Sequence, residues 1–243
     1  MVSFLAHGHP VDLYVYEEPR ALPAGVQLRD AEQVLSRSFM FHNRHTGSLA
    51  PFADWFRYRL LLERGGLWAD ADVVCLRPLT CSLPLIFGWA DDKLVNNALL
   101  GMRSGHPLAA WMSAVCESPN RVLPYDSWGL RLRKWKRRLL SGDRREQVGW
   151  GEFGPKGLTR AAAFLGYLGE ARPEHEFYPV RCPDWQSLFE GGERSGALTF
   201  EGSYCVHLWN EMTRRHPGFA REGRFSADSP FERLCRRYLP GEA

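Results

Sequence analysis

The chain has 243 residues, 44% of them hydrophobic and 24% charged. That size and balance suit one globular domain of α/β scale and exclude disordered and collagen-like classes. Lys and Arg total 31 against 28 Asp and Glu, and the net charge of +3 is too small to make nucleic acid the default partner, so any electrostatic role is local. The longest apolar stretch, from Val73 to Trp89, is interrupted by Arg77, Pro78 and Pro84 and does not read as a membrane span.

In chain order, Met1 to His9 lacks the charged and apolar regions of a secretory signal. The six cysteines (Cys75, Cys81, Cys116, Cys182, Cys205, Cys235) form no C-x-x-C pair. Free thiols, mostly buried, in a reducing cytoplasm are therefore expected. Val11 to Tyr16 alternates and is rich in β-formers, which predicts a strand. Asp30 to Leu35 reads as a short helix capped by Asp30. From Pro51 to Arg64 apolar residues recur at helical spacing, and Gly65-Gly66 supplies the stop. Leu67 to Leu76 predicts a buried strand whose apolar run is broken by Asp70 and Asp72. Further on, Lys93 to Met102 predicts a strand, His106 to Cys116 and Lys156 to Leu168 helices, and Tyr204 to Trp209 a late strand. This alternation favours an α/β sheet with largely parallel strands, in a single domain over 1–243 with its core at about 11–210 and a C-terminal tail from 211 to 243.

The segment 131–145 stands apart. Eight basic residues (Arg131, Arg133, Lys134, Lys136, Arg137, Arg138, Arg144, Arg145) surround Leu132, Trp135, Leu139 and Leu140. It reads either as a solvated helix face or as a peripheral contact with an anionic membrane, on its inner face for a cytoplasmic protein.

Asp70-Ala71-Asp72 is a D-x-D. Two hard carboxylates at i and i+2 near a strand end can hold a divalent ion that also binds a diphosphate. The motif alone is weak, but carboxylates inside an apolar strand require a compensating charge or metal. Asp54 and Arg57 share one face of the preceding helix, and the Gly65-Gly66 reversal brings that face back beside the strand. The pair also reads as a purely structural ion pair.

These residues resemble the D-x-D sugar transferases. The shared run stands here as Ala53-Asp54-Trp55-Phe56-Arg57-Tyr58, Leu61, Gly65-Gly66, Trp68 and Asp70-Ala71-Asp72. Further blocks look like the α-1,4-glycosyltransferase branch, the group containing globotriaosylceramide synthase: Asn96-Asn97-Ala98, Trp150 to Pro155, Leu158-Thr159-Arg160, Phe177-Tyr178-Pro179 and Val206-His207-Leu208-Trp209-Asn210. The resemblance runs from about Val11 to Asn210.

It implies a GT-A type fold with a Rossmann-like sheet flanked by helices. It also implies a retaining hexosyl or N-acetylhexosaminyl transfer from a nucleotide-sugar, usually UDP-linked, to a glycan or lipid-linked acceptor, with Mn²⁺ or Mg²⁺. By the same resemblance Asp54 and Arg57 contact donor-sugar hydroxyls and Trp68 lies near nucleotide and sugar. Asp70 faces ribose and metal, Asp72 binds metal, and His207 is the third ligand, with Trp209 closing over metal and diphosphate. Asn97 is a candidate for a sugar hydroxyl and Gly154 for shaping the acceptor side. Each also has a structural reading: His207 as a core histidine, Asn97 as a strand residue, Gly154-Pro155 as a turn. A divalent ion on the leaving diphosphate would stabilise the charge that develops there, and no carboxylate stands out as a nucleophile, which favours front-face attack.

Members of this family normally open with a strand and helix that help hold the uracil, whereas Val2 to Gly8 resembles the end of that helix. A first strand is expected to be lacking or truncated. Two other classes stay open: a degenerate, non-catalytic nucleotide-sugar-binding protein, and a Mg²⁺-dependent phosphohydrolase.

Overall fold

A three-stranded antiparallel sheet sits at the centre, in the order β3 (Gly66–Ala69), β6 (Val95–Met102), β5 (Leu85–Trp89). It is seen in a computed structural model that describes residues 1–79, 84–142, 144–192, 198–219 and 225–239. Strand β6 is buried along its whole length, as a central strand covered on both faces must be. On β5 the alternation is visible in the packing: Leu85 and Phe87 join one hydrophobic cluster and Ile86 the other. Helices α2 (Ala50–Arg64), α3 (Pro107–Glu117) and α5 (Pro155–Leu165) contribute to the first cluster. The short N-terminal helix α1 (Val2–Ala6), strands β4 (Val73–Cys75) and β7 (Cys205–His207) and the helix Pro230–Tyr238 contribute to the second.

The largely parallel sheet expected from the alternation of elements is not what forms. Among the described pairings, β1 (Val11–Val15) with β2 (Val26–Asp30) is parallel, whereas β3·β6, β5·β6 and β4·β7 are antiparallel. The reason is connection length: only Ala90 to Leu94 joins β5 to β6, closed by a hydrogen bond from Ala90 N to Leu94 O, and a parallel pair needs a crossover of a dozen residues or more.

Leu67 to Leu76 also differs from a single buried strand. The run splits into β3 and β4, which belong to different sheets, and Asp70, Ala71 and Asp72 occupy the turn between them, closed by Val73 N donating to Asp70 O at 3.0 Å. The apolar pattern continues across the break, but two adjacent carboxylates cannot be buried in a ladder without compensation; the chain turns where they occur and presents them at its surface.

Helix α2 positions half of the site. Pro51 lies in its first turn and Gly65 ends it at φ +67°. A Cβ at Gly65 would lie 2.5 Å from the backbone nitrogen of Ser104, so both conformation and close approach demand glycine here. The expected Asp30 cap is present, its side chain accepting from Glu32 N over a 3-10 turn rather than an α-helix. Cys75, Cys116 and Cys205 are buried free thiols and Cys182 and Cys235 are partly buried free thiols; Cys81 lies outside the described residues.

Helix α4 (Trp128–Ser141) carries six of the eight cations of the basic segment, and Arg144 and Arg145 follow it at a 3-10 turn. The eight cations are not one surface, because Lys134 is buried against Asp126, Arg137 pairs with Glu152, and Arg145 donates to the carbonyls of Cys116 and Glu117 while stacking over Trp55. Those three are internal ties, drawn inward by unsatisfied acceptors; the solvated charges on the helix are Arg133, Lys136 and Arg138.

Candidate active site

Three ligating groups converge where β3, β4 and β7 meet. One side-chain ligand atom from each of Asp70, Asp72 and His207 lies within 4.8 Å of the others. Asp70 and Asp72 arrive on the turn after β3. His207 arrives on β7, which pairs antiparallel with β4 in a register that sets His207 opposite Val73. Asp72 is locked to that late segment: its carbonyl accepts from Leu208 N at 2.9 Å, its Oδ2 from Asn210 N at 2.8 Å, and His207 Nε2 lies 3.2 Å from the same oxygen. Burial pushes the Asp72 carboxyl up, but the hydrogen bond and charge of His207, together with Asn210 N, hold it below the usual carboxylate range.

Asp70 is held from the other side. Its Oδ1 accepts from Arg57 Nη2 at 2.7 Å and from Trp68 Nε1 at 2.6 Å, which leaves Oδ2 for a ligand. The Arg57 guanidinium lies 4.9 Å from the centroid of the Trp68 ring, over its face, and donates through Nη1 to the carbonyl of Asn97. Burial disfavours its charge, but Asp70 and Asp54 more than offset that and raise its pKa.

Beneath this lies a polar layer on α2 and β6. Asp54 Oδ1 accepts from Asn97 Nδ2 at 2.7 Å and sits 3.7 Å from Arg57 Nη2. Asn97 Nδ2 also donates to Tyr58 Oη at 3.2 Å, and Tyr58 Oη donates to Phe153 O at 2.9 Å. Burial raises the Asp54 carboxyl to about 6, against the opposing effects of Arg57 and Asn97. Gly154 closes this layer: a Cβ there would stand 3.2 Å from Asp54 Oδ2 and 3.9 Å from Asn97 Oδ1. The structure therefore brings Asp54, Arg57, Trp68, Asp70, Asp72, Asn97, Gly154 and His207 into one neighbourhood.

Trp209 completes it from the C-terminal side. It is the non-glycine residue with positive φ among the described residues, at 54°, a conformation that costs an ordinary side chain on the order of 1 kcal/mol. Its indole nitrogen donates to Val180 O at 2.9 Å and its ring lies 4.2 Å from that of His207. Tyr178, to which sequence reasoning gave no role, packs edge-on to His207 and accepts from Leu99 N through its hydroxyl. The signal that could have singled it out is its place in the Phe177-Tyr178-Pro179 block.

The donor set suits a divalent cation: two carboxylates and an imidazole, all neighbours, with a buried His207 Nδ1 that has no hydrogen-bond partner. Negative charge exceeds permanent positive charge, because Asp54 and Asp70 share Arg57 and Asp72 faces His207.

Residues 170–238 match the family model of the alpha 1,4-glycosyltransferase conserved region; this segment includes His207, Trp209 and Tyr178 but not the D-x-D. The chain is 25% identical over 178 residues to lactosylceramide 4-alpha-galactosyltransferase of Rattus norvegicus, covering 68% of this chain and 42% of that protein. It is 24% identical over 187 residues to the Mus musculus protein of the same name, covering 71% and 44%. It is 21% identical over 202 residues to alpha-1,4-N-acetylglucosaminyltransferase of Homo sapiens, covering 77% and 49%. The chain thus spans less than half the length of these relatives. No solved structure matches it. The relation to the α-1,4-glycosyltransferase branch, read from the ordered sequence blocks, is borne out.

Proposed function

We propose, from this relation, that the protein is a metal-dependent retaining glycosyltransferase that moves a hexosyl or N-acetylhexosaminyl group from a nucleotide-sugar, UDP-linked, to a glycan or lipid-linked acceptor. The observation that carries the reading is the clustering of Asp70, Asp72 and His207 within 4.8 Å at the edge of a polar layer able to face a sugar. Asp70, Asp72 and His207 would hold Mn²⁺ or Mg²⁺, which when bound supplies charge stabilisation for a leaving diphosphate.

The chain's own residues do the rest. Trp68 and Arg57 fix one oxygen of Asp70 and Asn210 N fixes one of Asp72, so both ligands are oriented in advance. Asp54 offers its second carboxylate oxygen as an acceptor to a sugar hydroxyl, and Asn97, whose amide donates to Asp54 and Tyr58, holds that carboxylate in place. Arg57 is almost fully buried, and its contribution is to position Asp70 and the Asn97 backbone. Asp54 is 14% exposed in its side chain and tied to Asn97, which disfavours it as a nucleophile and favours front-face attack: the acceptor oxygen bonds to the anomeric carbon, the bond from that carbon to the phosphate oxygen breaks, and the acceptor proton passes to the leaving phosphate.

The test is a nucleotide-sugar screen by release of free nucleoside diphosphate, with Mn²⁺ and with chelator. Metal-dependent release is expected, and Asp72→Asn, which keeps volume and deletes a ligand charge, should lower it at least ~100-fold with the melting temperature retained. Donor binding without release from any nucleotide-sugar would replace the enzyme reading with that of a binding protein.

A further inference from the structure

Helix α4 is amphipathic in the reverse of the usual sense. Its inner face is polar: Lys134 Nζ donates to Asp126 Oδ2 at 2.7 Å and to Arg121 O at 3.1 Å, and Arg137 donates to Gln147 O and to Glu152 Oε2, both at 2.9 Å, with Leu130 buried beside them. Its outer face is apolar. Trp128, Leu132, Trp135 and Leu139, at i, i+4, i+7 and i+11, are 83%, 47%, 56% and 63% exposed. At about 100° per residue they fall within an arc of about 60°, opposite Leu130, Lys134 and Arg137. Leu140 is also exposed but lies about 80° beyond the stripe, past Lys136.

Such a stripe on a folded surface marks something that covers it. Its border identifies the chemistry. Lys136 flanks one side and Arg131 and Arg138 the other, with Arg133 exposed farther round beyond Lys136, and Trp128–Ser141 contains no acidic residue. A second copy docked on the same face would set these cations against their own kind. An anionic lipid surface answers both features at once: the indoles and leucines enter the boundary between headgroups and acyl chains, and the flanking Lys and Arg stems reach back to the phosphates.

We propose that α4 is a membrane-docking helix, lying in the plane of an anionic bilayer with Trp128, Leu132, Trp135 and Leu139 inserted, Lys136 and Arg138 at the phosphates, and Arg133 above them, adding to the attraction of the surface. The inner face is what fixes the orientation of the body on that surface. Arg137 ties α4 to Glu152, two residues before Gly154, whose own position adjoins Asp54 and Asn97, so the docked helix holds the polar layer at a set distance from the lipid. The inference rests on the surface of α4 and not on the transferase reading.

The test is co-sedimentation of the full chain with phosphatidylcholine vesicles, with and without phosphatidylglycerol. Binding is expected to require the anionic lipid and to weaken as salt is raised. Arg133→Gln, Lys136→Gln and Arg138→Gln together should weaken it about a hundredfold. Leu132→Ser, Trp135→Ser and Leu139→Ser together should weaken it at least about tenfold. Both triple variants should keep the wild-type melting temperature, since the altered side chains face solvent, whereas Lys134→Gln should melt lower. Three results would overturn the proposal: no binding of the wild type to anionic vesicles, binding untouched by both triple variants, or a wild-type dimer that the serine variant converts to monomer, which would make a second copy the occupant.

Discussion

Two charge clusters among the described residues, one buried and one partly open to solvent, are built to opposite rules. At Asp126 and Lys134 one carboxylate meets one ammonium at 2.7 Å, Leu123 N donates to the same carboxylate oxygen, and the ammonium also donates to Arg121 O. That cluster is neutral and closed. At the candidate active site three carboxylates face one guanidinium and one imidazole, and Arg57 Nε and His207 Nδ1 are both buried without a partner. A fold that can satisfy a buried pair so completely in one place leaves the other deficient in positive charge. The contrast marks the carboxylate-rich cluster as the open one, since buried polar groups left without a partner are costly.

Arg57 should give the largest effect in a set of substitutions that probe this contrast. Arg57→Ala strands two carboxylates beside an emptied site and should cost about 3–5 kcal/mol in chemical denaturation. Arg57→Lys keeps the charge but cannot reach Asp70 and the Asn97 carbonyl together while lying over Trp68, so nucleoside diphosphate release should fall nearly as far as in the alanine variant. Full activity in the lysine variant would reduce Arg57 to a point charge. The closed cluster comes next. Lys134→Met should cost about 3 kcal/mol because Asp126 is left buried and alone, and the double change Asp126→Leu with Lys134→Met should recover much of it; a double variant no better than the single would show that the pair carries net stability.

Asp54→Asn gives the smallest shift and the opposite sign. The folded carboxyl is raised to about 6 from an unfolded value near 4, so the folded state holds its proton more tightly and ionisation works against folding. The stability tied to protonated Asp54 is present in full below about pH 4 and is lost as the pH rises through 6. Asparagine should therefore stabilise the protein by on the order of 2 kcal/mol at pH 7.5, with the gain shrinking toward pH 5, while transfer falls. Melting temperatures across that range test it; a gain of the same size at both pH values would remove ionisation as its cause.

Local elements were legible where local physics decides them. The spacing of Phe52, Trp55, Phe56, Leu60 and Leu61 and the stop at Gly65 describe α2 almost to the residue, and β6 is legible as a strand despite Asn96 and Asn97 in its first half. Strand β5 has no local mark of its own, because it ends the apolar stretch from Val73 to Trp89 without a polar residue to set its period. Strand β2 escaped notice because four of its five residues are exposed, so no buried alternation marks it. Strand direction was misread because a pattern of alternating elements says nothing about how short the connection at Ala90 to Leu94 is. At the site, the neighbourhood of Asp54, Arg57 and Asp70 was readable from helical spacing plus a glycine reversal. The meeting of His207 with Asp72 was not: no periodicity links residues so far apart, and only the likeness of the late block suggested it. The split of the basic segment into inward and outward cations was equally hidden, since Lys134 and Lys136 differ in sequence only by which way the helix turns them.

The register of β7 on β4 carries a consequence for the birth of the protein. Asn210 N and Asp72 Oδ2 are 138 residues apart in sequence, so the site depends on one of the most distant contacts in the chain, and contacts of that span close late and slowly. During synthesis, the paired aspartates leave the ribosome long before the histidine that faces them. Until β7 docks, the nascent protein holds a D-x-D with no third ligand and no backbone amide to orient it. Catalytic competence would then arrive as a step at the end of folding rather than in proportion to it, and metal affinity measured during refolding would act as a clock for the docking of that single three-residue strand.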